Sequence, residues 1–298
     1  MSYSETRLQT GALELSLRNV FERVTHRSPD RLKKALEYAL FPGGGRVRPK
    51  LCLEVFESSG GTDTAFALNA AAAVEFLHCG SLVHDDLPCF DDAAMRRGKP
   101  TLHLAFDQGT AVLVGDGLIC AAFEAISSSV DISPWRTVEA VRMLGQALGS
   151  STGLVAGQAM ESEGGIPVAR VHQAKTGALF EVSAALGALA AGVDSSPWRM
   201  YGRTVGRAYQ LADDLMDLAG EPAQLGKTTL RDVALDRPNA VRTFGQQAVV
   251  QKFHLLVDEA IESIPDCHRP DRLVALTRSI TGRLFSGAKE KFPVAPME

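Results

Sequence analysis

Apolar residues in this chain run in stretches of helical length, without the one-in-two alternation that marks strands. Ala70 to Val83 is dominated by Ala, Val, Leu and Phe, with no Pro and a single Gly, which predicts a buried helix. Leu179 to Val193 is Ala-rich and predicts another tightly packed helix. It contains Glu181 and is shorter than the roughly 20 apolar residues a membrane span needs, so no span is expected there. From Ala208 to Leu218 the pattern is two-sided. Gln210, Asp213, Asp214 and Asp217 fall at i, i+3, i+4 and i+7, a single polar stripe, while Ala208, Leu211, Ala212, Leu215, Met216 and Leu218 supply the apolar face. The expectation is an all-α fold: one domain over residues 1–298, a bundle of about ten or more helices around a central cavity.

Two of these helices end in acid. The first reads His84-Asp85-Asp86-Leu87-Pro88-Cys89-Phe90-Asp91-Asp92, and Pro88 is expected to end the helix or distort its last turn. Asp85 and Asp86 then sit at a C-terminal end, where the macrodipole disfavours negative charge by a few tenths to about 1 kcal/mol. A bound cation would offset that cost. Asp91, six residues on, shares no helical face with Asp85, so the turn at Pro88 must fold it back. In the second cluster three carboxylates crowd one stripe. A solvated acidic face would intersperse Lys or Arg, and none occurs between Ala208 and Glu221.

Basic residues follow both clusters: Arg96, Arg97 and Lys99 after the first, Lys227 after the second. The cargo is therefore expected to be anionic as well as metal-bound, and a diphosphate meets both demands. Aspartate oxygens without His or Cys at zinc-like spacing point to Mg²⁺, with Mn²⁺ as the alternative. No Ser/His/Asp or Cys/His constellation suggests a protein nucleophile.

With 298 residues, 45% of them hydrophobic, the chain can bury a large core. A net charge of -4 argues against nucleic acid as a partner. Met1 to Arg31 is polar and lacks the apolar stretch of a signal peptide. The five cysteines are scattered and odd in number, as expected of reduced thiols in a cytoplasmic protein.

The run Val83 to His103 resembles the first aspartate-rich motif of the trans-isoprenyl diphosphate synthases, and Gln210 to Asp217 resembles the second. Gly43-Gly44-Gly45-Arg46-Val47-Arg48-Pro49, Lys175-Thr176-Gly177 and Gly226-Lys227 agree in order and spacing. The resemblance implies an isoprenoid-synthase bundle, a homodimer, and a Mg²⁺-dependent prenyltransferase that joins an allylic diphosphate to isopentenyl diphosphate. It places metal, three ions in all, on Asp85, Asp91 and, assisting, Asp86, and on Asp213, Asp214 and Asp217. It puts Arg96, Lys175, Thr176, Gln210 and Lys227 on the allylic diphosphate, with Lys175, Asp85, Asp86, Asp91, Asp213 and Asp214 catalytic, and Arg48, His78 and Arg97 on isopentenyl diphosphate.

Two positions qualify the picture. The family usually has Lys where this chain has Gly45, so grip on isopentenyl diphosphate should weaken unless Arg46, Arg48 or Lys50 compensates. In the family, a large aromatic five residues before the first aspartate stops growth at fifteen carbons. Here that residue is Gly80, followed by Ser81, about 7 Å deeper along the helix than Asp85. The open floor favours geranylgeranyl diphosphate over farnesyl diphosphate, with Leu77, Cys79, Leu113 and Phe123 as candidates to close the pocket against longer products. Two other classes stay open at this stage: an all-α metal-dependent phosphohydrolase using His84 as a ligand, and a non-catalytic regulatory subunit, for which Gly45 is the only hint.

Overall fold

The computed structural model describes residues 3–163, 165–219 and 239–289, with side chains for 11–163, 165–216 and 239–282. The chain order is α1 (Tyr3–Thr25), α2 (Asp30–Leu40), α3 (Val47–Ser58), α4 (Thr64–Asp85), α5 (Leu102–Ala105), α6 (Gln108–Ser127), α7 (Pro134–Leu148), α8 (Leu154–Glu163) and α9 (Val168–His172). A π-helical turn, Gln173–Gly177, joins α9 to α10 (Ala178–Ala191). Then come α11 (Ser196–Ala219), α12 (Ala240–Phe244), α13 (Gln246–Glu262) and α14 (Pro270–Lys289). The all-α expectation holds with one addition: two-residue strands β1 (Met95–Arg96) and β2 (Lys99–Pro100) pair as an antiparallel hairpin. Its strands are too short to write an alternating pattern into the sequence.

The Ala70 to Val83 run lies inside α4, which the aspartates lengthen to its end and Asp63 caps at its start by accepting from Phe66 N at 3.2 Å. The uniformly apolar composition has a direct cause. Neighbours cover α4 on every side, with α6, α3, α10 and α1 packed against it. Its Ala70 to Val74 are all at most 1% exposed. A second core forms where α3 and α10 meet α11 and α14, around Phe180, Trp198, Tyr201 and Leu273. The Leu179 to Val193 run matches α10, which stops where Gly192 takes the left-handed conformation, φ 78°.

By length and composition, α4 and α6 are each apolar enough to cross a membrane, with mean hydropathies of 1.4 and 1.6. In α4 the apolar window is 78% buried in the core, whereas in α6 only 44% is. Val112 and Leu113 on α6 face outward.

Helices approach closely where glycine removes a side chain. A Cβ on Gly187 of α10 would stand 2.2 Å from the carbonyl oxygen of Cys52 on α3, a backbone atom that cannot step aside. A Cβ on Gly145 of α7 would meet nothing within 4 Å. Gly187→Ala is therefore expected to cost about 1–3 kcal/mol in urea unfolding. Gly145→Ala should be neutral or stabilising by up to about 1 kcal/mol.

Candidate active site

The C-terminal end of α4 and the last turns of α11 face one polar cavity of about 330 Å³. Its wall carries Asp85, Asp91, Glu161, Asp213 and Asp214, four cationic side chains (Arg48, Arg96, Arg97 and Lys175), and His78, His172, Thr176, Tyr209, Gln210 and Asn239. Five carboxylates opposite four cations form a lining suited to a metal-bound polyanion. The aspartate clusters, remote in sequence, thus share a single hollow.

The first cluster is shaped by backbone hydrogen bonds. Asp91 N donates to Asp85 O at 2.9 Å, Asp92 N to Leu87 O at 2.9 Å and Ala93 N to Asp86 O at 3.2 Å, which folds Asp91 back beside Asp85. The chain then enters the hairpin, whose two turn residues, Arg97 (φ 51°) and Gly98 (φ 75°), are both left-handed, as a tight two-residue hairpin requires. This returns Arg96 toward α4. There Arg96 grips Asp86 with Nη2 at 2.5 Å and Nε at 3.0 Å from Oδ1. Burial pushes the Asp86 carboxyl up while the Arg96 hydrogen bonds pull it down. Asp86 is 4% exposed and does not line the cavity. It holds Arg96 in place.

Asp85 lines the cavity, and burial raises its carboxyl pKa to about 6 against the opposing pull of Lys175. Lys175 comes from the π turn, where the widened helix carries Lys175 and Thr176 into the wall. Its Nζ lies 2.6 Å from Glu161 Oε2 and 3.7 Å from Asp85 Oδ1. Burial opposes the Lys175 charge, but Asp85 and Glu161 outweigh it and the pKa is raised.

On α11, Asp213 and Asp214 part company. Asp214, 3% exposed, accepts from Gln210 Nε2 on Oδ1 at 2.9 Å and from Ala240 N on Oδ2 at 2.8 Å, with His172 Nε2 3.6 Å away. Thr176 donates to Gln210 Oε1 at 2.5 Å, so a chain of hydrogen bonds runs from the π turn through α11 to the start of α12. Asn239 caps that helix, accepting from Val241 N and Arg242 N. The Asp217 side chain and all of Lys227 lie outside the described residues; the sequence also predicts a long loop over Glu221 to Pro238 and a frayed tail after Phe292, and both fall outside them too.

The glycine-rich segment between α2 and α3 leads into the first turn of α3, which brings in Arg48 beside His78, and it receives Arg97, which donates to Gly43 O at 2.7 Å. A Cβ on Gly44 (φ 129°) would stand 2.8 Å from the Arg97 guanidinium carbon, so only glycine suits that place. Burial, with Arg48 and Arg97 nearby, keeps the His78 pKa well below its usual range, so the imidazole is neutral. Of the three residues that could compensate for Gly45, only Arg48 reaches this cavity. Arg46 is turned inward onto Glu14 and Glu75, 2.6 Å from each, and Leu40 O, while Lys50 and Gly45 itself line a separate cavity of about 620 Å³ behind α3.

Gly80 does not line the cavity: it packs against α6, where a Cβ would stand 3.2 Å from Gly115 O and 3.3 Å from Leu118 Cβ. Its neighbour Ser81, rotated about 100° round the helix, does line it. Leu77 and Cys79 are buried, whereas Leu113 is 59% exposed and closes nothing within this chain. His84 is turned onto α6, 3.3 Å from Val112 O, which removes the ligand the phosphohydrolase reading required.

Sequence reasoning missed Glu161, Tyr209, His172 and Asn239. Nothing in the pattern separates Glu161 from Glu163, and only the fold shows which of them meets Lys175.

A helical bundle with paired acidic helix ends around one cavity is the architecture of the isoprenoid synthases. A solved synthase of farnesyl or geranylfarnesyl diphosphate from Zymomonas mobilis superposes with a TM-score of 0.74 at 31% identity, covering 93% of this chain and 98% of that one. A geranyltransferase from Legionella pneumophila gives 0.76 at 27% identity, covering 95% and 99%. The polyprenyl synthetase family model matches residues 29–268, and the chain belongs to that family. A geranylgeranyl diphosphate synthase of Cereibacter sphaeroides is 43% identical over 251 residues, 84% of this chain and 87% of that protein. Geranylgeranyl pyrophosphate synthase 12 of Arabidopsis thaliana is 40% identical, over 87% and 76% of the two chains.

The raised Asp85 pKa sets a testable sign. Above about pH 6 the buried carboxylate is ionised at a cost the unfolded chain does not bear, and below about pH 4 both states are protonated and the cost disappears. In metal-free protein, Asp85→Asn is expected to be more stable than wild type at pH 7 by about 2–3 kcal/mol. In denaturant titrations that difference should shrink as pH falls from 6 to 4.

Proposed function

We propose that the protein is a Mg²⁺-dependent prenyltransferase that extends an allylic diphosphate with isopentenyl diphosphate and releases geranylgeranyl diphosphate. The observation that carries this reading is the shared cavity, where Asp85, Asp91 and Asp213 face Arg48, Arg96, Arg97 and Lys175. Among the described residues no three Asp, Glu, His or Cys side chains converge into a cage for an ion. That suits Mg²⁺, which takes one or two carboxylates and completes its shell with substrate phosphate and water. Asp85 and Asp91 would hold the ions of the first motif and Asp213, with Asp217, that of the second. Asp86 supports them through Arg96, and Asp214 through Gln210 and Ala240 N. Bound Mg²⁺ would neutralise the departing diphosphate and so ease breakage of the allylic carbon–oxygen bond.

The protein's own groups bind and orient. Arg96, Lys175, Thr176 and Gln210 would hold the allylic diphosphate, Lys175 adding positive charge where negative charge develops on the leaving oxygen. Arg48, His78 and Arg97 would hold isopentenyl diphosphate with its double bond toward the allylic carbon. The new carbon–carbon bond leaves a tertiary cation, and the proton it sheds passes to the released diphosphate. No side chain acts as nucleophile.

The twenty-carbon product is supported by the names of the relatives and by Ser81, a small side chain on the cavity wall. A cytosolic homodimer, each chain one functional unit over residues 1–298, fits the outward apolar face of α6, which a second copy would cover.

Incubation with isopentenyl diphosphate, an allylic primer and Mg²⁺ should give a twenty-carbon diphosphate on chromatography, with activity abolished by chelation. Released phosphate without elongation, or no reaction, would count against the reading. Asp85→Ala and Asp213→Ala should each lower kcat by about 100-fold or more while circular dichroism stays native. Ser81→Phe is expected to shorten the product.

A further inference from the structure

Three of the four cationic side chains in the cavity are tied to oxygen atoms: Arg96 to Asp86, Arg97 to Gly43 O and Lys175 to Glu161. Arg48 differs. It is 9% exposed, and its Nε has no hydrogen-bond partner among the described residues. Its Nη1 lies 3.4 Å from His78 Nε2, a neutral contact rather than a carboxylate, and two aromatic rings pack against the guanidinium. Its guanidinium carbon lies 4.7 Å from the centroid of Phe180 and 5.9 Å from that of Tyr209, and the two rings lean on each other at 4.9 Å with 43° between their planes.

A carboxylate in the rings' place would fix Arg48 and also neutralise it. Ring faces attract a cation through their quadrupole while carrying no net charge, and the flat guanidinium stacks where an ammonium would not. The held charge therefore stays available for an incoming anion. Burial lowers the Arg48 pKa, the direction expected of a cation whose anionic partner has yet to arrive. The positions suit the role. Phe180 follows the π turn that carries Lys175 and Thr176, and Tyr209 immediately precedes Gln210, so the same two helix segments that present the allylic-diphosphate groups also present the rings.

We propose that Phe180 and Tyr209 are positioning residues that clamp Arg48 in the orientation binding the diphosphate of isopentenyl diphosphate, setting affinity for that substrate separately from affinity for the allylic one. This rests on the function proposed above.

The test is steady-state kinetics with each substrate varied in turn. Tyr209→Leu should raise the KM for isopentenyl diphosphate roughly tenfold and leave the KM for the allylic diphosphate nearly unmoved. Tyr209→Phe keeps the ring and should restore the wild-type ratio of the two KM values. Phe180 is fully buried, so the same ratio is read for Phe180→Leu, because a folding defect lowers the active fraction and kcat without moving either KM. Equal rises in both KM values, no rise in Tyr209→Leu, or equal damage from Tyr209→Phe would overturn the clamp. Calorimetric titration with isopentenyl diphosphate separates this claim from the reaction itself. A wild type that binds it without elongating would sink the proposed function, and an affinity loss in Tyr209→Leu would still uphold the clamp.

Discussion

Lys175 stands between Asp85 on α4 and Glu161 on α8, two half-buried carboxylates that would otherwise repel each other across a poorly solvated hollow. An ion pair in such a place contributes little net stability, because desolvating both charges costs about as much as their attraction returns. Its effect is on geometry. It fixes where α4 ends relative to α8, and it does so from a π turn, the one stretch between α9 and α10 where the backbone departs from the regular helical spacing. From that turn Thr176 starts the hydrogen-bond chain through Gln210 and Asp214 to the start of α12. Both aspartate clusters are thereby referenced to a single irregularity in the bundle.

Much of this arrangement was legible in the sequence. The unbroken apolar run of α4, the stripe on α11 and the break at Pro88 follow from periodicity, and they place the acidic residues on helix ends without further information. The family resemblance supplied the rest of the basic residues, and the fold collects those within the described residues around one cavity. What periodicity could not reach was the division of labour between adjacent aspartates. Asp85 and Asp86 are indistinguishable in type, as are Asp213 and Asp214, yet only Asp85 of the first pair meets the cavity, and in the second pair, where both line it, Asp214 is engaged by Gln210 and Ala240 N. The deciding partners, Arg96 for one pair and Ala240 N for the other, arrive only when the hairpin and α12 return to the site.

The same limit explains Gly80. A one-residue step along a helix turns the side chain by about 100°, so Gly80 and Ser81, both read from the sequence as bearing on product length, meet different surroundings. Gly80 is a packing glycine at the α4–α6 crossing, and Ser81 meets the cavity. Gly45 teaches a related lesson. Its missing side chain would have begun on the rear side of α3, with Lys50, so the basic residues nearest to it in sequence are not those nearest to the site in space.

Arg46 carries a consequence beyond the cavity. Its backbone is left-handed, φ 48°, at the entry to α3, and its guanidinium joins Glu14 of α1, the last carbonyl of α2 and Glu75 of α4. The curve of the glycine segment, and with it the seat of Arg97 on Gly43 O, is therefore braced by a helix near the N-terminus that contributes nothing to the chemistry. Damage to α1 would be transmitted as a looser substrate grip at a distance, through one side chain acting as a tie-rod between remote parts of the chain.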